Sequence, residues 1–287
     1  MSDASPPADR PTVLAVGALY TGSARGLRAD LRSAEALGLH AEPICTALVM
    51  ASHGRVTDVT DVPADTVAAQ LEHVQHVRRI AGASIGILAG HKTVEVVMGA
   101  AKALGVPVVL NVVASGPSGE TVLTARGIDA LSERLGVPDL VTLNRADAEL
   151  VTGGEIQSLD DAQVAAQRIA GRGARRVVIR CGTLPYRFYD PADDPGMPGG
   201  DGQPERLYFD LYYDGEDFAL FEAPLLPGEA PSGAASLFCM AALEGLVAGR
   251  DPLEALQSAK RHATEGVRHT GEADVFAFDW KRGAAQK

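Results

Sequence analysis

The residues best suited to chemistry lie in the stretch Ala230-Pro231-Ser232-Gly233-Ala234-Ala235-Ser236-Leu237-Phe238-Cys239-Met240-Ala241-Ala242-Leu243, a small-residue turn that opens directly into an apolar helix. Proline and glycine fix such a turn, and small side chains let a ligand approach the backbone. The first turn of a helix presents unpaired N–H groups and a partial positive charge of about half a unit. Gly233, Ala234, Ala235 and Ser236 therefore suit a phosphate or another anion. The plain alternative is a loop before a core helix, with Ser236 only capping it. Asn144 and Asp147, three apart at the end of an apolar run, either cap the helix that follows or face a ligand. Arg180 closes another apolar run and is either a solvated charge or a phosphate ligand. His73 and His76 are three apart on a helix but have no carboxylate or Cys partners nearby, and His53 and His91 add no metal-like pattern. Cys45, Cys181 and Cys239 show neither metal spacing nor a disulfide framework, and Cys181 and Cys239 read as small core residues.

The elements that must position these residues alternate strand and helix. Thr12 to Gly17 is a short apolar strand, followed by a turn-rich loop over 18–23 and a helix from Ala24 to Leu37 that stops at Gly38. Strands follow at Pro43 to Met50, Ser84 to Leu88, Val106 to Val112, Leu140 to Leu143 and Arg176 to Arg180. Helices are expected from Pro63, over Thr93 to Leu104, over Ala146 to Val151 and over Leu159 to Gly171. Val106 to Val112 is apolar on both faces, as in a central parallel strand. The alternation predicts an α/β fold with a mostly parallel sheet. Residues 190–204, rich in Pro, Gly and Asp, read as a flexible surface insertion. Leu207 to Tyr213 and Phe218 to Glu222, joined by Asp214-Gly215, form a hairpin. Helices to about Val247 and from Pro252 to about Val267 complete the pattern. Open parallel sheets bind ligands beyond the carboxyl ends of their strands. Gly17, Leu88, Asn111, Leu143 and Arg180 all fall at such ends, so the loop after Gly17, the Asn144 region and the small-residue turn converge on one crevice.

Bulk properties bound the function. At 287 residues, with 46% hydrophobic and 22% charged residues, the chain reads as one globular domain over residues 11–270. Residues 1–10 read as a loose polar tail without the layout of a signal peptide, and 271–287 as a second tail. A formal charge of −11 argues against nucleic-acid binding. No apolar run reaches the length of a membrane span. Scattered cysteines, odd in number, point to the reducing cytoplasm. Lysine occurs only at 92, 102, 260, 281 and 287, so a phosphate clamp in the middle of the chain must use Arg or backbone.

Several blocks together resemble the hydroxymethylpyrimidine and phosphomethylpyrimidine kinases of thiamin synthesis, within the ribokinase-like superfamily that includes the pyridoxal kinases. They are Gly26-Leu27-Arg28-Ala29-Asp30-Leu31, Ala36-Leu37-Gly38, Thr46-Ala47-Leu48-Val49, Ala68-Ala69-Gln70-Leu71, Ile85-Gly86-Ile87-Leu88, and Leu140 to Asp147. The likeness spans about Val13 to Gly266. It implies a three-layer α/β/α sandwich, cytoplasmic location, ATP and Mg²⁺ as cosubstrate and cofactor, a small ring substrate and a homodimer. It assigns phosphoryl transfer to Gly233, Ala234, Ala235 and Ser236, and nucleotide binding to Asn144, Asp147 and Arg180, with Asn144 and Asp147 at the metal. Gly17, Ala18, Ala51, Ile87 and Val113 fall on the ring pocket. The chain departs from the family at several of these positions. Its turn reads Gly-Ala-Ala-Ser where the family has Gly-Thr-Gly-Cys or Asp. Arg180 replaces a lysine, Asn111 an aspartate, Asp147 a glutamate, and Ala51 a substrate-reading Gln or Glu. The resemblance therefore implies a phosphomethylpyrimidine kinase-like enzyme, with a pyridoxal kinase-like enzyme or a catalytically impaired ligand-binding paralogue as alternatives.

Overall fold

The structure, a computed structural model, describes residues 10–52, 54–184, 207–224 and 233–268. Its strands are β1 (Thr12–Thr21), β2 (His40–Ser52), β3 (Arg55–Asp61), β4 (Ile80–Ile85), β5 (Val108–Asn111), β6 (Leu140–Asn144), β7 (Val177–Gly182), β8 (Leu207–Tyr213) and β9 (Phe218–Pro224). They form one sheet in the order β3-β2-β1-β4-β5-β6-β7-β8-β9. The six strands from β2 to β7 pair in parallel. The edge strand β3 and the hairpin β8–β9 are antiparallel.

Helices cover both faces because the central strands are apolar on both sides and must be buried on both. On one face lie α2 (Ala64–Val77), α3 (His91–Leu104), α4 (Ala125–Ser132), α5 (Arg145–Thr152) and α6 (Leu159–Ala170). Val67, Leu71, Val97, Leu131, Ala148 and Ile169 carry that core. On the other face lie α1 (Leu27–Ala36), α7 (Ala234–Val247) and α8 (Pro252–Arg268), whose core is built on Leu27, Phe238, Met240, Leu243 and Leu256. The outcome is the mostly parallel sheet expected from the alternation, in the three-layer α/β/α sandwich that the resemblance implies.

Some boundaries differ from the sequence reading. β1 does not stop at Gly17 but runs to Thr21, with a shift of its register against β2 between Gly17 and Ala18. The loop expected over 18–23 therefore begins as strand. Gly26 folds that loop back onto β1. Its φ is +60°, and a Cβ there would sit 2.2 Å from the Ala18 carbonyl oxygen, so no other residue fits without displacement. β4 ends at Ile85 rather than Leu88, and Pro63 caps α2 rather than opening it. β3 and α4 were not expected. β3 is an exposed edge strand, and its polar sequence hides the period. The 190–204 insertion, the 271–287 tail, residues 1–9 of the N-terminal tail and the first three residues of the small-residue turn lie outside the described residues.

Candidate active site

A cavity of about 380 Å³ lies where the carboxyl ends of the parallel strands meet the N-terminus of α7. It gathers Gly17 and Ala18 of β1, Ile87 after β4, Val113 after β5, Asn144 of β6, Arg180 of β7 and Gly233 to Ser236. These residues come from segments up to about two hundred positions apart, as convergence at the strand ends requires. Ala51 is not among the lining residues. It packs with Val56, Val59 and Val113 against a small apolar cluster beside the cavity, which corrects its expected place in the ring pocket. The cavity also takes in Tyr20, Arg25, Asp30, Asn111, Ser115 and Tyr208, which sequence reasoning had not assigned to the ring pocket or the reacting centre.

One end suits phosphate. Gly233 caps α7 with φ +100°, and the first intrahelical bond runs from the Leu237 N–H to the Gly233 carbonyl at 3.0 Å. The N–H groups of Ala234, Ala235 and Ser236 precede that bond, and no side chain caps them among the described residues. Ala234 and Ala235 lie within the helix, and the only positive-φ non-glycine residue among those described is Ala89. Alanine in place of the family's glycine therefore strains nothing here, and the donors survive. Arg180 donates from Nη2 to Asn111 Oδ1 at 3.0 Å, while its buried Nε has no partner among the described residues. A buried guanidinium nitrogen left unbonded beside an uncapped helix terminus fits a nucleotide's phosphates.

Behind Arg180 stands a second charged pair. Asp210 of β8 is the register partner of Arg180 and takes a 2.8 Å bond from Lys260 of α8, with both side chains nearly buried. The Lys260 ammonium also lies 4.7 Å from the Tyr208 ring centroid. Burial raises the Asp210 carboxyl above its ordinary range, and the positive charges of Lys260 and Arg180 oppose that rise.

The Asn144–Asp147 pair is used internally. Asn144 caps α5, accepting from the Asp147 N–H at 2.8 Å and donating from Nδ2 to Asp147 Oδ2 at 2.7 Å. Asp147 is fully buried, and its Oδ1 accepts from the Ala114 N–H, the Ser115 N–H and the Ser115 hydroxyl at 2.9–3.1 Å. Burial raises its carboxyl, opposed by the Ser115 and Ala114 hydrogen bonds and by Arg180. Asp147, expected at the metal, thus fastens the turn after β5, with both carboxylate oxygens bonded within the protein. No group of three or more metal-binding side chains occurs among the described residues. The residues present do not form a protein cage for Mg²⁺.

At the reacting end, the first turn of α7 meets α1. Asp30 is buried and lines the cavity together with Ser236. Burial pushes its carboxyl up to about 6, and the Ser236 side chain opposes the rise. One signal for Asp30 was present in the sequence: it stands on the apolar face of α1, with Leu27, Ala29 and Ala34 buried alongside it. A larger groove lies at the opposite, amino-terminal end of β5 and β6, where Arg134 pairs with Glu95 and Glu133 and Arg175 with Asp139, and which Lys102 also lines.

A doubly covered parallel sheet with an anion-binding helix terminus, an arginine and a small apolar chamber at its strand ends defines a small-molecule phosphotransferase of the ribokinase-like class. The chain belongs to the phosphomethylpyrimidine kinase family, whose pattern matches residues 21–276. It is 29% identical over 259 residues to the hydroxymethylpyrimidine/phosphomethylpyrimidine kinase of Aquifex aeolicus, covering 90% of this chain and 94% of that one. It is also 29% identical over 267 residues to the thiamine biosynthesis bifunctional protein ThiED of Geobacter sulfurreducens, covering 91% of this chain and 50% of that one. Among solved structures, the pyridoxal kinase of Staphylococcus aureus in complex with AMP-PCP superposes with a TM-score of 0.76 at 24% identity, covering 92% and 91% of the two chains.

Proposed function

We propose that this chain transfers the γ-phosphoryl group of ATP to the hydroxymethyl group of a hydroxymethylpyrimidine or its monophosphate, a step of thiamin biosynthesis. The observation that carries this reading is the meeting of the α7 terminus with Arg180 Nε, which has no partner among the described residues, in a chamber walled by Ala18, Ile87 and Val113. The N–H groups of Ala234, Ala235 and Ser236 hold the transferring group, and Arg180 steadies its oxygens. Phosphoryl transfer relies chiefly on positioning and charge neutralisation, which backbone donors and a guanidinium supply. Mg²⁺ would be carried by the nucleotide phosphates and would neutralise their charge, with Asn144 of the cavity wall able to face it through water. The apolar walls hold the acceptor ring against that end and exclude bulk water.

Pyridoxal is the second acceptor we consider, since the pyridoxal kinase of Staphylococcus aureus solved in complex with pyridoxal shares this fold. The test is ADP formation from Mg-ATP with hydroxymethylpyrimidine, its monophosphate and pyridoxal in separate reactions. Turnover with either pyrimidine is the expected result. Turnover with pyridoxal alone would move the assignment to the vitamin B6 side, and nucleotide binding without turnover would overturn the enzyme reading in favour of a ligand-binding paralogue.

A further inference from the structure

We propose that Asp30 is the proton acceptor of this reaction and that Ser236 hands it the proton of the substrate's hydroxymethyl group. The inference rests on the kinase reading above and concerns the same site. Serine alone is a poor base near neutral pH, so a first turn ending in Ser236 needs another group to take the proton. Asp30 is the carboxylate placed to do so. It is buried, and it lines the same cavity as Ser236, whose side chain lies near enough to favour its charged form. A Cβ on Gly17 would lie 3.8 Å from Asp30 Oδ2, so β1 closes over the carboxylate without filling the space beside it.

The step balances as follows. The acceptor's O–H proton moves to Ser236 Oγ as the Ser236 O–H proton moves to an Asp30 carboxylate oxygen. The acceptor oxygen forms its bond to the γ-phosphorus while the bond from that phosphorus to the β,γ-bridging oxygen breaks, releasing ADP. Asp30 returns the proton along the same path to water once the product has left.

Among the described residues that line the cavity, Asp30 is the one carboxylate. Tyr20 of β1 and Tyr208 of β8 are pushed up by burial and stay neutral. The Cys239 thiol, one turn along α7, is pushed up to about 11 and stays neutral. Arg25 before α1 and Arg180 of β7 are permanent cations. Asp30 itself, held near 6, is a carboxylate at neutral pH yet basic enough to take a proton.

The test is the pH profile of kcat in the wild type, Asp30→Asn, Ser236→Ala, the double variant and Asp30→Asn/Ser236→Asp. The wild type is expected to gain activity with rising pH through about 6. Asp30→Asn should lose about 100-fold or more in kcat, keep KM for ATP within about threefold, and lose that acid limb. Ser236→Ala should fall similarly, with no further loss in the double variant, and Ser236→Asp should recover most of the activity in the Asp30→Asn background. A 13C NMR titration of the Asp30 carboxyl carbon, which needs no acceptor, should place it near 6 and show it move in Ser236→Ala. A folded Asp30→Asn with wild-type kcat and an unchanged profile would overturn the proposal, as would an Asp30 titrating near the ordinary value of about 4. Failure of the wild type with every acceptor would instead overturn the kinase reading, and the two failures are told apart by that control.

Discussion

At the residue scale, Asp30 and Asp147 show how two buried carboxylates with different partners take different roles. Asp147 has both oxygens bonded, to Ala114, Ser115 and Asn144, and fastens the turn after β5. Removing it strands those donors in the interior, so Asp147→Ala should cost about 3 kcal/mol or more in a denaturant titration. Asp30 shares the cavity wall with Ser236, and burial pushes its carboxyl up to about 6, from an ordinary value of about 4. Its folded form binds a proton more tightly than its unfolded form does. The stability this lends is complete below about pH 4 and is lost as the pH rises to about 6, so at neutral pH the buried charge costs up to about 3 kcal/mol. Asp30→Asn should therefore be more stable than the wild type at pH 7.5 and close to it at pH 4, measured as the difference in urea midpoint. A residue kept only for structure would show the opposite at pH 7.5.

At the scale of the element, α7 decides whether the altered turn can work. Gly233 has φ +100°, a conformation that costs an L-residue about 1–2 kcal/mol, whereas Ala234 and Ala235 are helical. Gly233→Ala should therefore lower stability by about that amount and weaken binding of an ATP analogue. Ala235→Gly relieves no strain and should cost up to about 1 kcal/mol without raising turnover. α8 reaches the site through Lys260, whose ion pair with Asp210 lies behind Arg180 on the neighbouring strand. Breaking a buried pair leaves one uncompensated charge, so Lys260→Met should cost about 3–5 kcal/mol in a thermal or denaturant melt. Asp210→Asn/Lys260→Met should recover part of that loss, since neither charge is then left alone.

At the scale of the whole molecule, the sheet was legible because parallel strands buried on both faces read as unbroken apolar runs, as in Val108–Asn111 and Leu140–Asn144. β3 was not, since an exposed edge strand of Arg, Asp and Thr carries no such signal. Of the site, Gly17, Ala18, Ile87, Val113, Asn144, Arg180 and Gly233 to Ser236 were brought to one cavity as their positions at strand and helix ends imply. Tyr20, Arg25, Asp30 and Tyr208 joined it through the extended β1, the folded-back Gly26 loop and the β8 hairpin, which are tertiary facts without a local motif. A cavity assembled from β1, α1, β5, β6, β7, β8 and α7 exists only when the sheet and the layer of α1 and α7 are in place. A ligand seated there must therefore stabilise the entire domain. At a hundred times its dissociation constant, AMP-PCP with Mg²⁺ should add about 2.7 kcal/mol to the unfolding free energy, or about 5–10 °C in Tm for a chain of this size. Arg180→Met removes the guanidinium that fits the phosphates and should abolish most of that shift, while the free protein loses the bond to Asn111 and a charge near Asp210 and melts somewhat lower. An equal shift in the variant would place the nucleotide elsewhere.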